Sequence, residues 1–239
     1  MPDQRKHRGP HPKDDELFSA RTVPLLCNAT RDLNWLLTRG YGANAALKLV
    51  GDRYRLVARQ RQAIARCGCS DDEVLRRRQH QVATTNLRHQ DLWIDAYNVL
   101  TSLEAALSGA VILHARDGCY RDLASMHRTY RKVHETMPAM HAIGQLVSEW
   151  EVAACHWLID QPVSNSGRLK TLLREAGEEH GWRWHAEVVP DPDSVLIRTD
   201  QIVASADSRI LDNAQQWFNL AKVAINARVD DAWIIDLSR

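Results

Sequence analysis

Four apolar runs in this chain end on an aspartate or have one close behind: Leu92-Trp93-Ile94-Asp95, Val111-Ile112-Leu113 with Asp117 beyond it, Trp157-Leu158-Ile159-Asp160, and Ile202-Val203-Ala204-Ser205-Ala206-Asp207. Short apolar runs bounded by polar residues read as strands, and the carboxyl ends of parallel strands meet along one edge of an open sheet, where ligands bind. Carboxylates gathered there repel one another, and a hard divalent cation relieves the repulsion. Asp95, Asp117, Asp160 and Asp207 are therefore expected to hold Mg2+ or Mn2+, with Asp122 and Asp212 behind them or in their place. That chemistry suits phosphodiester hydrolysis, in which the ion activates water and stabilises developing charge.

Each member also has a plainer reading. Asp95 is followed three residues later by Asn98, which would orient water or substrate, yet an Asp at a strand end commonly caps the next helix. Asp160 leads into Gln161-Pro162-Val163-Ser164-Asn165-Ser166-Gly167 and a helical stretch, so Ser164, Asn165 and Ser166 offer hydroxyls and amides to a phosphate, while at least one of them is expected to cap that helix. In the last run, small residues and Ser205 lead into Asp207, and Arg209 is placed to meet charge on a reacting phosphate. Arg121, Arg128, Arg131 and Lys132 recur at helical spacing beside Tyr120 and Tyr130, a stripe suited to a single strand with aromatic stacking, or else a solvated face over core tyrosines.

The elements that would position these residues fall into two rhythms. Met1 to about Asp15 is basic and proline-rich and reads as a disordered tail; 16–88 has helical periodicity, with glycines 40, 42 and 51 suited to helix ends and Ser70/Glu73 to a capping box. From 89 to 239 strands alternate with helices. Strands are expected at Leu92–Ile94, Ala110–His114, Cys155–Ile159, Arg183–Val189, Ile202–Ala204 and Ala232–Asp236. Helices are expected at Leu100–Leu107, Leu123–Thr136, Ala139–Glu151, Gly167–His180 and Ile210–Ala221, with Pro190–Ser194 as a loop. The fold class expected is α/β, a three-layer α/β/α sandwich with a mostly parallel central sheet, preceded by a small all-α basic domain.

The formal net charge of +1 conceals a polarity: residues 1–90 carry 17 Lys or Arg against 9 Asp or Glu, residues 91–239 carry 14 against 21. A basic half that grips a polyanion beside an acidic half that cuts it would produce this, and so would complementary charge across an interface between the halves. No apolar stretch approaches the roughly 18 residues of a membrane span, and the N-terminus is not signal-like, so a cytoplasmic protein without membrane partners is expected. Cys27, Cys67, Cys69, Cys119 and Cys155 show no paired framework and read as reduced thiols, and the eight tryptophans read mostly as core.

The stretch from Ile202 to Ile210, apolar then small, Ser, small, Asp, Ser and Ile, resembles the last acidic motif of the PIN-like nuclease superfamily, which includes the NYN domains; Asp95 with Asn98 resembles its first, and Asp160 the acidic residue closing a middle strand. With Asp117-Gly118, Arg121-Asp122 and Ser164 to Gly167, residues 90 to 225 also resemble a family of uncharacterised microbial proteins assigned a PIN-like domain. The resemblance implies a metal-dependent nuclease, acting on RNA ahead of DNA, holding Mg2+ or Mn2+ and able to pair as a homodimer. Its second acidic position is open here among Asp117, Asp122, Glu149 and Glu151, with Asp117 preferred. Two alternatives stand beside it: a non-catalytic nucleic-acid-binding protein on the same scaffold, and a phosphatase with Asp95 as nucleophile, weakened by Tyr97 where a second Asp would be needed.

Overall fold

Ser70 and Glu73 do form the capping box: the Glu73 amide donates to Ser70 Oγ at 3.2 Å and the Ser70 amide to Glu73 Oε2 at 2.6 Å. They open the last of five N-terminal helices, α1 (Asp14–Leu17), α2 (Val23–Thr38), α3 (Ala43–Arg53), α4 (Ala58–Cys67) and α5 (Asp71–His80), in a computed structural model that describes residues 7–124, 130 and 132–239. Gly51 lies inside α3 rather than at its end, where an added Cβ would strike the Arg61 side chain.

The chain then continues through β1 (Asp91–Asp95), α6 (Ala96–Leu107), β2 (Ile112–His114), β3 (Tyr120–Asp122), α7 (Thr136–Glu149), β4 (Ala154–Asp160), α8 (Ser166–His180), β5 (Trp184–Val189), α9 (Pro192–Arg198), β6 (Ile202–Ala204), α10 (Ser208–Asn213), β7 (Gln216–Phe218), α11 (Leu220–Arg228) and β8 (Ile234–Asp236). Five strands form a wholly parallel central sheet in the order β5-β4-β1-β6-β7. The protein is thus α/β, with a small N-terminal all-α region. Side chains alternate across the sheet, so Leu92, Ile94, Trp157 and Ile159 pack with α6, α7, α8 and α11, while Leu158 and Val203 pack on the other side with Leu196 of α9 and Ile210 of α10.

Several boundaries depart from the sequence reading. The strand runs before Asp117 and at 234–236 do not join the central sheet: β2 and β8 pair in parallel and β3 folds back antiparallel on β2 through a turn at Gly118, φ +83°, giving a separate three-stranded sheet. The expected helix Ile210–Ala221 is divided into α10, β7 and α11, because Trp217 and Phe218 bury themselves beside β6 as an edge strand. Pro190–Ser194 is not all loop, since Pro192 starts α9 with Asp191 as its cap. The described residues of the expected helix Leu123–Thr136 are not helical before Thr136.

The helical region and the small sheet share one core. Leu26, Leu33 and Ile64 pack in a single cluster with Val111, Leu113, Ile235 and Leu237. From His7 onward the N-terminal segment is docked, with the Arg8 guanidinium paired to the fully buried Glu104 and stacked on the Tyr130 ring at 5.2 Å.

Candidate functional site

The central sheet starts at β1, builds outward through β4 and β5, then resumes on the other side of β1 with β6 and β7. The order of strands therefore reverses between β1 and β6, and a crevice outside the carboxyl ends of the strands is the usual ligand site in such sheets. Asp95 ends β1 there, Ser205 follows β6, and Asp160 ends β4 two positions beyond Leu158, the partner of Asp95.

Asp95 is both a cap and something more. Its Oδ1 accepts from the Asn98 amide at 3.3 Å as α6 begins, and its Oδ2 accepts from Ser205 Oγ at 2.9 Å. Ser205 Oγ in turn accepts from the Asp207 amide at 3.0 Å, and Asn98 Oδ1 accepts from the Ala206 amide at 2.8 Å. Asp207 caps α10 through Oδ1 alone, accepting from Arg209 at 2.8 Å and Ile210 at 3.3 Å. The two βα turns are thus stitched together, which fixes Asp95, Asn98, Ser205 and Asp207 relative to one another.

Asp95, Asp160 and Asp207 are each half-buried. Burial pushes the Asp95 carboxyl up to about 7 against the pull of Ser205 and the Asn98 amide, and the charges of Asp193 and Asp207 add to the rise. Asp160 is pushed up by burial and by Asp191. The charges of Asp193 and Asp207 thus disfavour the ionised form of Asp95, an effect that a bound cation would reverse.

The donor set is all oxygen, which fits Mg2+ or Mn2+. Among the described residues no three His, Cys, Asp or Glu side chains converge as a cage. Mg2+ keeps several waters and takes only one or two protein carboxylates, so Asp95 and Asp207 suffice in kind, whereas a closed zinc-type site is not built.

Other residues expected at the site lie elsewhere. Asp117 is 3% exposed and accepts from Arg121 at 2.9 and 2.6 Å, from Arg77 at 2.6 Å and from the Cys119 amide at 3.1 Å. Asp212 receives the other edge of Arg77 at 2.7 and 2.9 Å. Asp122 is buried and accepts from Ser102 at 3.0 Å and the Ala124 amide at 2.7 Å, with Arg66 at 3.6 Å. The structure brings none of these three to Asp95; each is committed to an internal polar network. Arg121 lies in the same network and touches the site from behind, donating to the Ala206 carbonyl at 2.8 Å. Part of the charge polarity along the chain is spent here, as Arg66 and Arg77 of the helical region meet Asp122, Asp117 and Asp212 of the α/β region.

Tyr120 and Tyr130 are buried at 6% and 1% exposure and cannot stack on a strand, and Arg128 and Arg131 lie outside the described residues. Ser164, Asn165 and Ser166 stand at the start of α8, but none caps it through its side chain: Asn165, φ +69°, donates instead to the Tyr130 carbonyl at 2.9 Å. Arg209 is exposed and reaches Asp193 at 3.5 Å.

Residues 84–223 match the family described as a domain of unknown function, DUF5616. The chain belongs to that family. Residues 25–80 match a second family, described as a protein of unknown function, DUF434. A protein of Methanocaldococcus jannaschii, "Uncharacterized protein MJ0935", is 28% identical over 183 residues, covering 77% of this chain and 87% of the relative. No solved structure matches the chain.

Two residues of this DUF5616 protein join the site without having stood out in its sequence. Asp193, in the first turn of α9, is pushed up by burial and by Asp207, with Arg209 opposing. Pro192 at the first helical position behind an Asp cap was the legible signal for that helix. Tyr97 is 5% exposed, its hydroxyl finds no hydrogen-bond partner among the described residues, and the charge of Asp160 acts on it. A buried hydroxyl left unpaired costs on the order of 1–3 kcal/mol, so its position beside the carboxylates calls for a ligand or water.

Proposed function

We propose that this DUF5616 protein is a metal-dependent nuclease with a PIN-like site, hydrolysing phosphodiester bonds in RNA ahead of DNA. The observation that carries the reading is the carboxylate group at the strand-order reversal, with Asp95 raised to about 7 and held by Ser205 and Asn98. Asp95 and Asp207 would hold Mg2+ or Mn2+, with Asp160 and Asp193 flanking. The bound ion supplies an activated water and a counter-charge for the transition state. Ser205 and the Asn98 amide fix the Asp95 carboxylate, Asn98 Oδ1 fixes the loop that carries Asp207, and the exposed Arg209 stands ready to meet phosphate charge. Asp117, Asp122 and Asp212 support the scaffold in this reading.

The commitment of Asp207 Oδ1 to the cap of α10 favours one other reading, a nucleic-acid-binding protein that does not cut. Labelled single-stranded, hairpin and duplex RNA and DNA, incubated with Mn2+, Mg2+ or EDTA, separate the two. Metal-dependent cleavage by the wild type, lost in Asp95→Asn and Asp207→Asn, supports the nuclease. Salt-sensitive binding without cleavage in every lane supports the second reading.

A further inference from the structure

We propose that a second cavity, at the carboxyl ends of β2 and β8, binds a phosphate group. The cavity is about 430 Å3, and its lining includes Arg78, His114, Arg116, Asn219, Lys222 and Asn226. β2 and β8 run in parallel and their last residues, His114 and Asp236, are register partners, so this is the carboxyl edge of the small sheet, completed by the opening turn of α11.

The charges around the cavity are unevenly spent. Asp117 on its wall is neutralised by Arg77 and Arg121, and Asp236, next to it, is ion-paired with Arg239 at 3.3 Å and also met by His114 at 3.2 Å and Ser238 at 2.6 Å. The half-buried Lys222 donates to His114 Nε2 at 3.2 Å and lies over the Tyr120 ring at 5.3 Å, contacts that hold an ammonium without neutralising it. Because Nε2 accepts, the proton of a neutral His114 sits on Nδ1, toward Asp236. Burial and the neighbouring Lys222 push the ring's pKa down, over the opposing pull of Asp236. Arg116 is anchored by the Cys69 carbonyl at 2.7 Å and by Asp71, which fixes its guanidinium at the rim, and Arg78 is exposed beside it and not ion-paired among the described residues.

Arg78 and Lys222, neither ion-paired among the described residues, with Arg116 at the rim shared with Asp71, suit a compact anion with several acceptor oxygens. At 430 Å3 the space takes a mononucleotide as well as a bare phosphate. The inference stands apart from the nuclease reading, because it is read by binding in EDTA, without cleavage.

Isothermal titration of the full chain in EDTA uses four probes: inorganic phosphate, adenosine 5′-monophosphate, a short 5′-phosphorylated oligoribonucleotide and its 5′-hydroxyl twin. The wild type is expected to bind phosphate-bearing probes, and both Lys222→Met and Arg78→Gln to weaken them by roughly tenfold, the loss of one charge-assisted contact. Binding of the phosphorylated oligonucleotide tighter than both its twin and inorganic phosphate assigns the site to a chain end, and comparable binding of all three phosphate-bearing probes assigns it to a free phosphate group. Wild-type protein that binds none of them, or variants that bind as tightly as the wild type, overturns the proposal. Arg78 is exposed, so Arg78→Gln decides the matter if Lys222→Met does not fold.

Discussion

Replacing Asp117 with Asn tests whether this aspartate is a strut or a ligand. Burial opposes its ionisation, but Arg121 and Arg77 prevail and hold the carboxyl well below the usual range. The Asn amide keeps one acceptor but turns an NH2 toward guanidinium donors, and it removes the charge between two arginines that are 8% and 2% exposed. Arg77 retains both oxygens of Asp212, so the group left short is Arg121, whose remaining contact is the Ala206 carbonyl. Removing one partner of a buried pair costs about 3–5 kcal/mol, which for a chain of this size is a fall of about 10 °C in Tm. Urea unfolding should show that loss at pH 7. It should shrink as pH falls below about 4, because a carboxylate with a depressed folded pKa stabilises fully only above its unfolded pKa and loses that contribution progressively as pH falls toward its folded one. The double variant Asp117→Asn/Arg121→Met should cost less than the sum of the singles. An Asp117→Asn protein of unchanged stability that has lost metal-dependent cleavage would refute the structural role and restore the ligand reading.

Three further outcomes are expected. Asp95 gives the opposite pH signature: its raised carboxyl holds a proton in the folded state that the unfolded chain has released, so metal-free stability falls as pH rises from about 4 through about 7. Asp95→Asn should flatten that slope and gain about 1–3 kcal/mol at pH 8 in EDTA, checked by urea titrations across pH. Arg8→Ala should destabilise by about 2–4 kcal/mol, more at pH 8 than at pH 5, since it strands the fully buried Glu104, which Tyr130 and Thr136 still hold at 2.6 Å each. Thermal melts at the two pH values test this, and equal losses at both would count against it. Tyr97→Phe should leave Tm within about 1 °C or raise it, because among the described residues the hydroxyl has no partner to lose, and a fall of several degrees in a thermal melt would count against this.

What could be read from the sequence was what its local pattern encodes. β1, β4, β5 and β6 were legible because their apolar runs are short and bounded, and the Asp95, Asn98, Ser205, Asp207 group followed because all four stand at the ends of those strands. The pairing of the small sheet was not legible, since Ile112 meets Ile234 across about half of the chain and nothing near either residue announces the other. Asp117 shows the same limit on a single residue: its place after an apolar run looked like that of Asp95, but its fate was set by Arg77, forty positions earlier. The arginine count of the first ninety residues suggested an exposed grip, yet Arg59, Arg66 and Arg77 turn inward to Asp14, Asp122 and Asp117.

The core shared by the helical region and the small sheet has a consequence for synthesis. Leu26, Leu33 and Ile64 leave the ribosome early, but the strand that covers them with Ile235 and Leu237 comes some two hundred residues later. At roughly 5–20 residues per second that is a delay of roughly 10–40 s, during which the nascent helices present apolar surface to chaperones and proteases. The N-terminal helices of this protein therefore reach their native burial only after β8 has emerged, and a chain interrupted before residue 234 leaves Leu26, Leu33 and Ile64 without the cover of Ile235 and Leu237.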